Sequence, residues 1–125
     1  MSQRADQLKR TLTAACQATY GTGLVTVALY GSWARDAATP LSDIDVLVVA
    51  EHLPSGRGRR VRQFAPVDDT TRADRAGLWA DRDLPVPELS PLFKTPAEVL
   101  AGSPLYLDMT DWSELLWDRG GFFAG

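Results

Sequence analysis

Asp43 and Asp45, separated only by Ile44, stand at the head of an apolar run that ends near Val49, and a Gly-Ser pair, Gly31-Ser32, closes the apolar run before it. In an extended strand, residues i and i+2 project to the same face, so the two carboxylates point together while Ile44, Val46 and Val48 pack the other way. Like charges side by side repel, and each acid must hold its proton or find a positive partner. A divalent cation bound by both removes the conflict. Carboxylate oxygens suit Mg²⁺ or Mn²⁺, which complete their coordination with water and substrate phosphate. The plainer reading assigns Asp43 to the turn "PLSD" and leaves only Asp45 to explain, and for a bare Asp-x-Asp that is the commoner outcome. Gly-Ser after a strand and before a short helix offers free backbone N–H groups and a hydroxyl to an anion, phosphate above all. Alone, such a pair is as often an ordinary turn. Together the two features describe phosphates held at the turn and a metal held on the adjacent strand. That is the layout of phosphoryl or nucleotidyl transfer, where catalysis is mostly positioning and charge neutralisation.

The elements that must position these residues can be traced along the chain. Leu8, Leu12, Ala15, Cys16 and Tyr20 recur every three or four residues, the apolar stripe of a helix over Gln3 to Tyr20, and "GTG" (Gly21 to Gly23) stops it. "LVTVALY" (Leu24 to Tyr30) and Asp43 to Val49 read as strands, with a turn or two of helix expected in "WARDAA" between them. From Ala50 to about Leu84 the pattern weakens; it predicts one helix around Arg59 to Phe64 and another from about Asp69 to Ala80, with Ala73, Ala76 and Trp79 along one side. The three prolines of "PVPELSPLFK" (Pro85 to Lys94) fit an edge strand. "TPAE" (Thr95 to Glu98) is a helix start with Thr as cap, Pro at the first position and Glu at the third. "SPLYLDM" reads as another short helix and "ELLWD" (Glu114 to Asp118) as the last strand.

Composition narrows the classes of function. The 125 residues have room for one domain with one core, with no internal repeat and no obvious linker. Lys and Arg total 13 against 16 Asp and Glu, a net charge of −3, which argues against non-specific nucleic-acid binding. One cysteine, Cys16, excludes an internal disulfide and a four-cysteine zinc site. No apolar stretch approaches the roughly 20 residues that cross a bilayer, and the polar N-terminus lacks a signal-peptide core, so the expectation is a soluble cytoplasmic protein without membrane contact. The chain ends on "GFFAG", two aromatics with nothing after them to cover them, which implies a partner or further chain beyond Gly125.

"LYGSWARDAATPLSDIDVLVV", positions 29 to 49, resembles the signature of the DNA polymerase β-like nucleotidyltransferase superfamily: an apolar residue, Gly-Ser, a spacer, then Asp-apolar-Asp-apolar. The short chain and "GSWARD" are most similar to the stand-alone minimal nucleotidyltransferase domains of bacteria and archaea, and the tail from "SPLFKTPAEVL" to "LLWDRGGFF" shares that likeness. The resemblance implies an α+β nucleotidyltransferase fold, a short mixed β-sheet flanked by helices. It implies Mg²⁺ (or Mn²⁺) on Asp43 and Asp45, and the phosphates of ATP or another nucleoside triphosphate near Gly31, Ser32 and Arg35. It also implies a third carboxylate on the next strand, as metal ligand and as acceptor of the hydroxyl's proton, and the acid of "PVPELSPLFK" is Glu88. The implied reaction moves a nucleoside monophosphate, AMP from ATP, onto a hydroxyl and releases pyrophosphate.

Three functions compete. The first is an active Mg²⁺-dependent nucleotidyltransferase. The second is an antitoxin that works by binding a HEPN-domain toxin, with or without catalysis, in keeping with the small size and the aromatic tail. The third, an antibiotic-modifying enzyme, ranks lower because 125 residues leave no space for an acceptor-binding domain. Arg57, Arg59, Arg60 and Arg62 read as a solvated helix face ahead of a polyanion contact. His52 and Lys94 read as surface residues, Trp112, Trp117, Phe122 and Phe123 as core or partner contacts, and Asp108, Asp111 and Glu114 as capping or solvating acids.

Overall fold

The structure is a computed structural model that describes residues 3–31, 33, 42–80, 83–102 and 113–122. Seven elements follow in order: α1 (Gln3–Tyr20), β1 (Leu24–Tyr30), β2 (Ile44–Ala50), α2 (Arg57–Leu78), β3 (Leu89–Lys94), α3 (Pro96–Ala101) and β4 (Glu114–Asp118). The strands form one mixed sheet in the order β3-β2-β1-β4, with β1 antiparallel to β2 and β4, and β2 parallel to β3. This is the α+β arrangement of a short mixed sheet with helices that the sequence predicts, and β3 takes the expected edge place, with Pro91 inside it and Pro85 and Pro87 ahead of it. The helices expected over "WARDAA" and "SPLYLDM" fall, apart from Trp33, outside the described residues.

One face of the sheet (Leu24, Val27, Leu29, Ile44, Val46, Val48 and Phe93) packs under α1 and α2. The periodic stripe of α1 behaves as read: Leu8, Leu12, Ala15 and Cys16 are all buried, joined by Ala5. Burial pushes the Cys16 thiol up to about 12, so it stays protonated and inert. On the opposite face Val25, Ala28, Leu47 and Val49 are buried too, with Tyr30, Leu92, Val99 and Phe122 partly buried against them. Phe122 of the terminal aromatic pair therefore has a seat within the domain; Phe123 lies outside the described residues.

The central region corrects the sequence reading. Residues 57–78 form one unbroken helix with Pro66 inside it, not two short ones. Its buried positions are Phe64, Val67, Thr71, Arg75 and Leu78, spaced three and four apart, while Ala73 and Ala76 are exposed. The stripe is helical, but two of its five members are polar, so an apolar pattern does not reveal it. Pro66 lies on the exposed side, where its missing N–H and its clash with the Arg62 carbonyl are outweighed by packing against α1. α3 begins with the expected capping box: the Thr95 hydroxyl accepts from the Glu98 amide (3.2 Å) and the Glu98 carboxylate from the Thr95 amide (2.8 Å). Arg60 bonds the same carboxylate at 3.0 Å and the Phe93 carbonyl at 3.2 Å, tying α2, β3 and α3 together.

Two outcomes are expected. Pro66→Ala restores the absent hydrogen bond on an exposed face and should stabilise the domain by about 1–3 kcal/mol, read by urea denaturation; a loss of stability would mean that α2 needs its proline. The Glu98 carboxyl lies below its usual range, first because the Thr95 amide donates to it and further through Arg60. A group whose pKa is depressed by folding stabilises above its unfolded pKa and loses that contribution as pH falls through the folded one. The protection of the Thr95 amide against hydrogen exchange should therefore fall on acidification through the carboxylate range, and Glu98→Gln should remove that acid step.

Candidate active site

The site sits where β1 ends and β2 and β3 begin. Tyr30 pairs with Asp45 across β1 and β2, and Asp45 pairs with Ser90 across β2 and β3. The faces follow the expected alternation. Ile44, Val46 and Val48 point into the helix-side core, and Asp45 lies on the other face in line with Leu47 and Val49. Asp43 is exposed just before β2 and Asp45 is half-buried. The Asp45 carboxyl is raised above its ordinary value, first by burial and then by the negative charge of Asp43. The two acids thus strain against each other electrostatically, as same-face placement requires. Burial, and then Asp45, raise the neighbouring Tyr30 phenol, while Arg57 at the start of α2 pulls it back.

Gly31 follows Tyr30 with a φ of +68°, a conformation that favours glycine. A Cβ built at this position would lie 2.5 Å from Oδ2 of Asp45, so the backbone of the turn rests directly on that carboxylate. Only a glycine allows this approach. The next described residue, Trp33, is 3% exposed and belongs to the helix-side core, where it anchors the chain leaving the turn. Ser32 and Arg35 lie outside the described residues.

Glu88 stands immediately before β3. Its carbonyl accepts from the Ile44 amide at 2.9 Å, and the parallel register continued by one pair sets it opposite Asp43. Its carboxylate is 64% exposed and turned toward α2, with Oε2 at 3.9 Å from Nη1 of Arg75. Among the described residues, no three His, Cys, Asp or Glu side chains converge in a metal-binding group. The structure thus brings the two aspartates and Gly31 together and places the backbone of Glu88 beside them. Tyr30, Arg57 and Arg75 around this end of the sheet were not singled out by sequence reasoning as site residues. The pairing of position 30 with 45 was the signal available for Tyr30; nothing in the sequence pointed to Arg75. The remaining basic residues read as expected: Arg59 and Arg62 are exposed on α2 and Lys94 closes β3. His52 is exposed in the turn after β2, and Glu114 pairs with Lys9 at 3.0 Å.

The chemistry of the donor set fits a divalent metal. The Asp43 and Asp45 carboxylates are close enough to repel, and a glycine turn brings backbone against one of them. A paired-acid strand beside a close-fitting glycine turn on a mixed sheet defines a nucleotidyltransferase-fold domain. The model of the nucleotidyltransferase domain family matches residues 8–87, well over half of the chain, and the chain belongs to that family. It is 28% identical over 112 residues to a Methanocaldococcus jannaschii protein named "Putative protein adenylyltransferase", covering 86% of this chain and 68% of that one. Among solved structures, a toxin-antitoxin with AMP-PNP superposes with a TM-score of 0.56 at 14% identity, covering 93% of this chain and 77% of that one. A tri-AMPylated Shewanella oneidensis HEPN toxin in complex with its MNT antitoxin gives a TM-score of 0.52 at 14% identity, covering 91% and 72%. At such identities these likenesses establish the fold alone.

Gly31→Ala tests the close approach. The new methyl collides with Asp45 and the positive φ adds strain, so Mn²⁺ affinity should fall about tenfold or more, as when a group that orients a ligand is lost. The domain should remain folded by circular dichroism. Unchanged Mn²⁺ affinity would separate the turn from the acids.

Proposed function

We propose that this protein is a Mg²⁺- or Mn²⁺-dependent adenylyltransferase that moves AMP from ATP to a hydroxyl on a partner protein of the HEPN type. The observation that carries the reading is the seating of Gly31 against Asp45, with the charge of Asp43 beside it; the reading takes these as a metal clamp and a phosphate seat in one place. The relative's adenylyltransferase name and the AMP-PNP and AMPylated-toxin complexes of the same fold support the choice of nucleotide and acceptor.

In this reading Asp43 and Asp45 hold the metal, and Glu88 joins them by turning away from Arg75. The bound ion would neutralise the triphosphate and align its α-phosphorus. The Gly31-Ser32 turn holds phosphate oxygens through backbone N–H groups, and Arg35 adds charge there. The acceptor oxygen bonds to the α-phosphorus as the α–β bridging bond breaks and pyrophosphate leaves. Glu88 receives the hydroxyl proton.

A second reading, an antitoxin that neutralises its partner by binding alone, is favoured by the position of the Glu88 carboxylate against Arg75 instead of beside the aspartates.

The test uses ATP labelled at the α-phosphate, a divalent ion and the co-expressed partner. Wild type should transfer label to the partner, and Asp45→Asn should abolish the transfer. Transfer that survives Asp45→Asn contradicts the assigned site. An Asp43→Ala/Asp45→Ala variant that still neutralises the partner without any transfer favours the binding reading.

A further inference from the structure

Arg75 is the largest fully buried side chain among the described residues, at 0% exposure, on a helix whose other buried positions are apolar or Thr71. A guanidinium out of water is costly unless its donors are matched, and here they are. Nε donates to the Thr71 hydroxyl (3.2 Å), Nη2 to the Asp68 carbonyl (2.7 Å) and to Oδ1 of its carboxylate (3.0 Å), and Nη1 to the Pro87 carbonyl (2.8 Å). The Thr71 hydroxyl is itself anchored by donating to the Val67 carbonyl at 2.9 Å.

Three of these bonds stay within α2 and orient the guanidinium. The fourth leaves the helix for the chain just ahead of β3, and the same Nη1 stands 3.9 Å from Oε2 of Glu88. The Glu88 carbonyl is bonded to the Ile44 amide on its other side. Adjacent carbonyls are therefore pinned to different elements, residue 87 to α2 and residue 88 to β2. That double pinning sets the Cα of Glu88 opposite Asp43. The contact between Arg75 and the Glu88 carboxylate is a different matter: it is long, and the acid is mostly exposed, so it is weak and easily exchanged.

We infer that Arg75 is a positioning residue for the candidate site, fixing the backbone of Glu88 through Pro87 so that its carboxylate, once it leaves Arg75, can reach a divalent ion on Asp43 and Asp45. The inference rests on the reading of those aspartates as metal ligands. It assigns a use to a buried charge that packing alone would replace with leucine or methionine.

The experiment is a double-mutant cycle on the full chain, with Mn²⁺ binding in the presence of a non-hydrolysable ATP analogue read by electron paramagnetic resonance. Arg75→Lys keeps the charge but cannot reach Asp68, Thr71 and Pro87 at once. It should weaken Mn²⁺ binding about tenfold, the low end for loss of a group that orients a metal ligand. Glu88→Gln should weaken binding similarly, and the double variant should lose little more than either. Asp68→Ala, which removes the carboxylate partner of Nη2 without touching Arg75 and leaves its bond to the residue 68 carbonyl, should reproduce the effect at smaller size and carries the cycle if Arg75→Lys does not fold. An unchanged affinity in the folded Arg75 or Asp68 variant overturns the inference. An equal further loss in the Glu88→Gln background does so too, because Arg75 would then act only through the general fold. Asp45→Asn separates the underlying reading: Mn²⁺ binding that persists in it removes the metal site itself, whatever Arg75 does.

Discussion

Repulsion between two carboxylates carried on one face of one strand is the constraint around which this domain is organised. Asp43 and Asp45 occupy places that a strand buried on both faces would fill with aliphatic residues, and burial has already raised Asp45 against its neighbour. The sheet accommodates them only at its end, where β2 starts, with Leu47 and Val49 resuming the apolar face within two residues. Gly31 must be a glycine because its backbone lies on the Asp45 carboxylate. Trp33 must be buried because the turn that brings Gly31 there has to be anchored beyond it. In the proposed function, a cation shared by the two acids would convert the repulsion into a binding site.

The rest of the fold supplies rigidity at that point. β2 runs through the middle of the sheet between β1 and β3, so Asp45 is flanked by a paired strand on both sides. α1 and α2 cover the helix-side face and hold β2 from behind. β3, an edge strand with Pro91 inside it, is secured by arginines of α2: Arg57 bonds the Pro91 carbonyl at 3.2 Å and Arg60 the Phe93 carbonyl at 3.2 Å. These contacts satisfy carbonyls on an edge that would otherwise invite pairing with another chain, and they give a structural use to part of an arginine cluster that sequence alone offered to an acidic partner or a solvated face.

Much of this was legible in the sequence, for identifiable reasons. α1, β1, β4 and the start of α3 carry strong local signals, an apolar stripe, β-branched runs between glycines and a capping box, and the structure places each as read. The acid pair was legible because alternation in a strand is strict. α2 was not, since its buried stripe passes through Thr71 and Arg75, whose burial depends on hydrogen bonds to Asp68 and Pro87 that no periodicity encodes. The side-chain direction of Glu88 was equally hidden: register sets its backbone beside Asp43, while its carboxylate lies toward Arg75, thirteen positions earlier in the chain.

The central claim is that Asp43 and Asp45 share a divalent ion beside a phosphate seat at Gly31. A crystal structure of the protein with Mg²⁺ and a non-hydrolysable ATP analogue tests it most directly. The account predicts an ion bridging the two carboxylates, with triphosphate oxygens on the backbone amides of the Gly31 turn. A nucleotide bound elsewhere, or an ion that touches neither aspartate, would contradict it.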